Sequence, residues 1–311
     1  MAQVVVSYWS GKLPEITFLH FLSVRTLNPG LRYVLYLECD PDFVGSVGPD
    51  LDAQLRSLGI EIETVSLNEL LLKSGVPRFS KWREIRSYRL FRKVIRRLIP
   101  VVSTVLPKAS TFKIDKSDLL NWVVSHNFPF SGYSHDRAYR SDLFRSLIFQ
   151  EYSDYDYLYL DLDICLIRPL EFNSFPHGAI APWGTSKSGN SAYLLLPRSA
   201  LSAKAKILKS LKAGHSALPW VLYSETQIKD YNLHLHESRE IDPAWSVDSV
   251  IHADTTLFFR SGDHVSRFIS EVDDNCIGVH WHNQWSVIPE SGSPYEILKA
   301  RFLGLMEKPA G

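Results

Sequence analysis

Apolar and polar positions along this chain change period several times, and the changes mark its elements. The short apolar runs Val4-Val5-Val6 and Tyr33-Val34-Leu35-Tyr36-Leu37 predict strands. Between them, Pro14 to Leu27 predicts a helix that stops at the turn signal Asn28-Pro29-Gly30. Leu51 to Leu58 predicts a short helix closed by Gly59, and Ile60 to Val65 predicts a strand. This β-α-β-α-β order predicts a parallel sheet with right-handed crossovers. In such sheets nucleotides bind outside the carboxyl ends of the strands. Ser7-Tyr8-Trp9-Ser10-Gly11 falls at such an end, where Ser7, Tyr8 and Trp9 are candidates to touch the nucleotide and the two aromatics either stack on its base or pack.

Further along, Arg78 to Leu98 predicts a basic amphipathic helix ended by Ile99-Pro100, inside an insertion over about residues 70 to 125. Ala138 to Tyr152 predicts another helix, which feeds directly into Tyr157-Leu158-Tyr159-Leu160-Asp161-Leu162-Asp163. After three prolines comes the loop Gly184 to Ser191, then a strand over Tyr193 to Leu196. The C-terminal third is mixed and contains Val279-His280-Trp281-His282-Asn283-Gln284-Trp285. There are no internal repeats.

At 311 residues, 45% hydrophobic and 22% charged, the chain suits a soluble α/β protein with a full core, read as one domain over 1–311. Its start lacks a basic region and a long apolar stretch, so no secretory signal is expected. Cys39, Cys165 and Cys276 are widely spaced, which predicts free thiols in a reducing cytoplasm. The net charge is zero but unevenly placed. Nine basic residues against Glu84 alone give Arg78–Arg97 a charge of +8, so the other 25 basic and 33 acidic residues carry −8. Such a block concerns partners rather than fold. It predicts contact with an anionic membrane surface, peripheral on the cytoplasmic membrane, unless it packs on the domain or binds an anionic glycan. No nucleic-acid reader motif accompanies it.

The chemistry centres on Asp161 and Asp163. A buried strand that ends in two acids needs a counter-charge, because desolvated carboxylates cost several kcal/mol. Two oxygen donors with room for phosphate oxygens suit a hard divalent ion. In the preceding helix, Arg140 and Arg145 could offset the acids, and Asp142 could accept hydrogen bonds from sugar hydroxyls. His280 and His282 lie two apart on an expected strand and are read as facing opposite ways, so only one should share a site with the acids. A neutral imidazole can complete the coordination of Mn²⁺. His234-Leu235-His236 reads as an ordinary strand.

Taken together, Ser141-Asp142-Leu143-Phe144-Arg145, Tyr159 to Asp163 and His280-Trp281-His282-Asn283 resemble the glycosyltransferases with a DXD sugar-binding region. That family includes α-1,4-galactosyltransferases, the initiating mannosyltransferases of yeast, and bacterial capsule and lipopolysaccharide transferases. The opening strand and the Asn28-Pro29-Gly30 turn fit its first β-α unit. The resemblance implies a GT-A fold, a Rossmann-like mixed sheet flanked by helices. It also implies a UDP- or GDP-sugar donor, Mn²⁺ or Mg²⁺, and a glycan or lipid-linked acceptor. Asp163 and His280 would bind the metal, and Asp161 the metal and the donor ribose. Asp142 and Arg145 would hold the donor sugar, and Asn283 or Trp285 would close over the phosphates. A retaining reaction needs no strong base; an inverting one would use a carboxylate such as Asp254 or Glu225. The chain has Glu151 to Asp156 where many relatives turn on Gly-Gly, and His282 where they have Trp.

Two other readings use the same residues. A phosphatase of the haloacid dehalogenase type also carries two acids spaced like Asp161 and Asp163, the first a nucleophile. It wants Thr or Val where Cys165 stands. A non-catalytic adaptor would use the basic helix alone and keep the acids as a relic.

Overall fold

A computed structural model describes residues 2–76, 137–213, 215 and 217–306. The basic helix Arg78–Arg97 and all but the first residues of the expected insertion lie outside the described residues.

The first strand, β1 (Gln3–Trp9), lies parallel to β2 (Arg32–Glu38) and to β4 (Asp156–Leu160). β3 (Glu61–Val65) joins β2, also in parallel. Beyond β4 the sheet turns mixed. β7 (Gly189–Leu196) runs antiparallel to β4 and to β6 (Ala179–Pro182), and β8 (His234–Leu235) forms the edge. The seven strands run in the order β3-β2-β1-β4-β7-β6-β8. The parallel half is the one expected from the sequence, with α1 (Phe18–Leu27) and α2 (Pro49–Ser57) as its crossovers.

The inner strands are apolar without a break because both of their faces are covered. Val5, Tyr33, Leu35, Leu158 and Leu160 point into one core, shared with α1 and α2. Val4, Val6, Val34, Tyr36, Tyr157 and Tyr159 point into the other, beneath α3 (Leu67–Ser74) and α4 (Arg137–Arg145). Two departures from the expected elements matter for the site. The helix expected over Ala138 to Tyr152 stops at Arg145 and resumes as a 3₁₀ turn over Ile148–Tyr152. The strand carrying the acids ends at Leu160, so Asp161 and Asp163 sit in a turn.

A second, two-stranded sheet follows directly. β5 (Ile164–Leu166) pairs antiparallel with β9 (Gly278–His280), and the register places Ile164 opposite His280. This pairing carries the C-terminal third back to the turn that bears the acids.

Candidate active site

β1 and β4 are parallel neighbours, so Trp9 and the Asp161–Asp163 turn emerge at the same edge of the sheet. β7 runs the other way, and its first residues, Gly189 and Asn190, reach that edge too. α4 lies across it. The result is a cleft of about 800 Å³ lined by Tyr8, Trp9, Asp142, Arg145, Asp161, Asp163, Asn190, His280, Asn283 and Trp285, among others.

The turn is held from both sides. Asp161 donates its backbone N–H to Ala192 O at 2.7 Å, and Asp163 O accepts from Trp281 N at 3.0 Å. Behind it runs a buried polar chain. His20 Nδ1 meets Ile164 O at 2.6 Å, and its Nε2 meets the Tyr33 hydroxyl. Tyr33 Oη is 2.7 Å from Ser7 Oγ, which lies 2.6 Å from Leu160 O. The single Ser7 proton goes to one or the other. Burial pushes His20 down to about 4, so the ring is neutral at physiological pH. The chain thus grips Leu160 and Ile164, the residues flanking the acidic turn. Ser7 was expected to touch a cofactor; its side chain is fully enclosed, and its role is in this support.

Arg145 answers the question of counter-charge for Asp161. Its Nη1 donates to Asp161 Oδ2 at 3.0 Å, and Nη2 lies 3.4 Å from Asp142 Oδ1. The guanidinium sits over the Tyr159 ring at 4.9 Å, and Tyr159 donates its hydroxyl proton to Asp161 Oδ1 at 2.8 Å. Arg140 does not join this group. One helical position before Ser141, it points to the end of β2, where it is buried with Glu38 and Asp40. Tyr8 donates to Glu38 and stacks on Phe144 at 4.5 Å. Tyr8 is therefore mostly a packing residue, whereas Trp9 meets Trp285 edge-on at 4.9 Å in the cleft.

Asp163 is the more deeply buried acid. Its Oδ1 lies 3.2 Å from His280 Nε2, and its Oδ2 accepts from Asn283 N at 2.8 Å. Burial alone would raise its pKa, but His280 and these hydrogen bonds hold it well below the usual carboxylate range. Burial likewise opposes charge on His280, yet Asp163 and Asp242 push that ring well above its ordinary value. Asp242 lies behind both histidines. Its Oδ2 is 3.3 Å from His280 Nδ1, close enough for attraction but poorly aligned as a hydrogen bond, and its Oδ1 is 2.7 Å from His282 Nε2.

His280 and His282 were expected on opposite faces. Instead their ring centroids are 4.0 Å apart. β9 ends at His280, and His282 and Asn283 both take positive φ (50° and 60°). The expectation misapplied the strand period: residues two apart in extended chain share a face, and the left-handed turn begins only at His282. The same turn lets Trp285 donate to Asn283 Oδ1 at 3.0 Å.

A divalent metal fits this arrangement. Asp161, Asp163 and His280 bring one ligand atom each within 4.8 Å of one another, two hard oxygens and one nitrogen. In the metal-free form, the proton on His280 supplies the positive charge that the carboxylates need. His282 is turned toward Asp242 and supports His280 from behind. Asp242 itself was not legible in the sequence, because its partners lie about forty residues further on.

The two candidate bases lie elsewhere. Asp254 is exposed and caps a 3₁₀ turn by accepting from Thr256 N at 3.0 Å. Glu225 pairs with Lys229 at 2.8 Å on a partly exposed helix start. Neither is among the residues lining the cleft. The loop after Pro182 does contribute, through Trp183, which meets Trp220 at 5.0 Å, and the start of β7 adds Asn190.

No family model matches the chain, and no curated protein matches its sequence. Several solved structures are similar in outline. The galactosyltransferase LgtC, in complex with donor and acceptor sugar analogs, shares 11% identity over 99% of this chain and 98% of its own, with a TM-score of 0.39. The glycosyltransferase GlyE of Streptococcus pneumoniae TIGR4 shares 13% over 97% of this chain and 60% of its own, with a TM-score of 0.42. The PaToxG glycosyltransferase shares 9% over 74% and 70%, with a TM-score of 0.38. Likeness at this level does not place the chain in a family.

Proposed function

We propose that this chain is a metal-dependent glycosyltransferase of the GT-A type. It moves a hexose from a UDP- or GDP-sugar to a glycan or glycolipid acceptor, with retention of configuration, in bacterial surface polysaccharide synthesis. The observation that carries this reading is the convergence of Asp161, Asp163 and His280 on one point of a cleft that also presents Arg145 with Asp142. A phosphatase nucleophile would be left free to attack, whereas Asp161 is engaged by both Arg145 and Tyr159.

Asp161, Asp163 and His280 would hold Mn²⁺ or Mg²⁺, which when bound offsets charge on a departing diphosphate. Asp142 would accept from hydroxyls of the donor sugar while Arg145 keeps its carboxylate aligned. Trp9 and Trp285 offer aromatic faces for the nucleotide base, and Asn283 stands at the phosphates. Among the described residues, the carboxylates lining the cleft are Asp142, Asp161 and Asp163, each paired with Arg145 or His280. That supports a retaining course, in which the leaving diphosphate takes the acceptor proton. The basic stretch Arg78–Arg97 would bring the acceptor side to an anionic membrane; flotation with anionic vesicles at low and high salt checks this. No helix among the described residues is long and apolar enough to cross a membrane.

The deciding experiment is donor hydrolysis and thermal shift across UDP- and GDP-sugars, with and without Mn²⁺, for the native chain and Asp163→Asn. A metal-dependent response to one donor, absent in the variant, is expected. No response to any donor from folded protein would overturn the reading. A β-linked product from an α-linked donor, seen by NMR, would remove retention alone.

A further inference from the structure

We propose that His234, His236 and Glu240 form a second metal site, a structural clip for a borderline ion such as Zn²⁺. It is independent of the proposed transferase activity. β8 is the edge of the large sheet, and only two of its residues pair, with Ala179 and Ile180 of β6. An edge this short gains little from its ladder and needs other restraint.

His234 and His236 are two apart in extended chain, so both rings lie on one side of it, with centroids 5.0 Å apart. Glu240, on the short helix Ser238–Ile241, turns its carboxylate back toward them. Its Oε2 is 3.1 Å from His236 Nδ1, and one ligand atom from each of the three residues falls within 4.8 Å of the others. Ligands about 2.0–2.2 Å from a tetrahedral Zn²⁺ are themselves roughly 3.3 Å apart. The His236–Glu240 pair already has that spacing. His234 is exposed and has the freedom to close the remaining distance.

The two fixed ligands are well braced. The His236 side chain is 1% exposed, packed edge-on against Phe175 and Tyr193. Its Nε2 has no hydrogen-bond partner among the described residues, so packing sets its orientation. The Glu240 carboxylate accepts from Glu237 N at 2.9 Å, and the hydrogen bond from His236 lowers it to about 2, so it is ionised and ready to ligate. Two imidazoles and one carboxylate, with a fourth position for water, match the usual three-ligand zinc set. This set is richer in nitrogen than that of Asp161, Asp163 and His280, so the two clusters prefer different ions.

The position gives the clip a purpose. Glu240 O accepts from Ile277 N at 2.6 Å, next to β9, and Asp242 follows two residues later. An ion at this point would tie the sheet edge to the segment that braces His280. The plainer alternative is a His236–Glu240 hydrogen bond alone, with His234 merely stacked on Phe175 at 4.7 Å.

The test is a Zn²⁺ titration of the chelator-stripped full chain, followed by calorimetry and metal analysis, for the native protein, His234→Ala and Glu240→Gln. Each variant is expected to bind one Zn²⁺ equivalent fewer and to lose part of the Zn²⁺-induced rise in Tm. Co²⁺ should give visible bands of a four-coordinate site that the same variants lack. Asp163→Asn should keep those bands, which separates this site from the cleft. Equal stoichiometry in native protein and His234→Ala would overturn the proposal, and because His234 is exposed that variant should fold.

Discussion

Asp242 does not itself line the cleft, yet it decides how His280 behaves there. It lies behind both histidines and fixes the ring that faces Asp163. Partners of this kind typically govern metal affinity by 10–100-fold. Asp242→Asn is therefore expected to weaken Mn²⁺ binding by about 10–100-fold while leaving the circular dichroism spectrum unchanged; calorimetry would read the difference. The same group sets a pH dependence. A group whose folded pKa is raised stabilises fully below its unfolded value, about 6.5 for His, and the contribution is lost as pH rises through the folded value. With His280 raised, metal-free protein should lose stability as pH climbs past that range. Metal binding needs the deprotonated ring, so Mn²⁺ affinity should rise over the same interval. Melts in EDTA and in Mn²⁺ as a function of pH would diverge; parallel curves would contradict this. Asp161, Asp163, Asp142 and Arg145 were legible in the sequence because their spacing sits within two adjoining elements. Asp242 was not, since it meets the histidines only through a pairing across the chain, whereas the shared facing of His280 and His282 follows from their two-residue spacing.

The strands and helices read clearly where both faces are buried, and less so where a helix ends early. Five positions apart on one helix, Arg145 turns to Asp161 while Arg140 serves β2. Burial sets the consequences of losing each arginine. Arg140→Ala would leave Glu38 and Asp40 buried without their cation, at a cost of roughly 3–5 kcal/mol. Arg32→Ala removes an exposed pair with Glu61, worth about 0–1 kcal/mol. Urea unfolding of both variants measures the contrast, and similar losses would sink it. The chain Ser7–Tyr33–His20 makes a prediction of its own. Tyr33→Phe leaves His20 Nε2 without its donor in the core, which should cost about 1–3 kcal/mol. It should also loosen the turn between Leu160 and Ile164, and so weaken Mn²⁺ binding beyond what a core change elsewhere does. No sequence pattern revealed this chain, because Ser7 alone looked like a loop residue facing a ligand.

Across the whole molecule, the C-terminal helix over Pro294–Met306 closes the core beneath α1, with Leu298 and Phe302 buried and Tyr295 donating to Ile16 O at 3.1 Å. Phe302→Ala should destabilise by about 3–5 kcal/mol, read from the shift in Tm. The α/β class and the parallel half of the sheet followed from element order alone. The mixed half did not, since nothing in the short loop 183–188 or in the helical segment between β7 and β8 fixes the strand directions from the sequence.

The pairing of Ile164 with His280 has one more consequence, and it concerns synthesis. Asp163 and His280 are 117 positions apart (280 less 163), so at about 5–20 residues per second a ribosome needs on the order of ten seconds between them. Throughout that interval the nascent chain exposes two acids with neither their imidazole nor the strand that braces them. On the proposed reading the site gains its third metal ligand only once residue 280 has been made, and a product that stops before it would lack that ligand however well its sheet had formed.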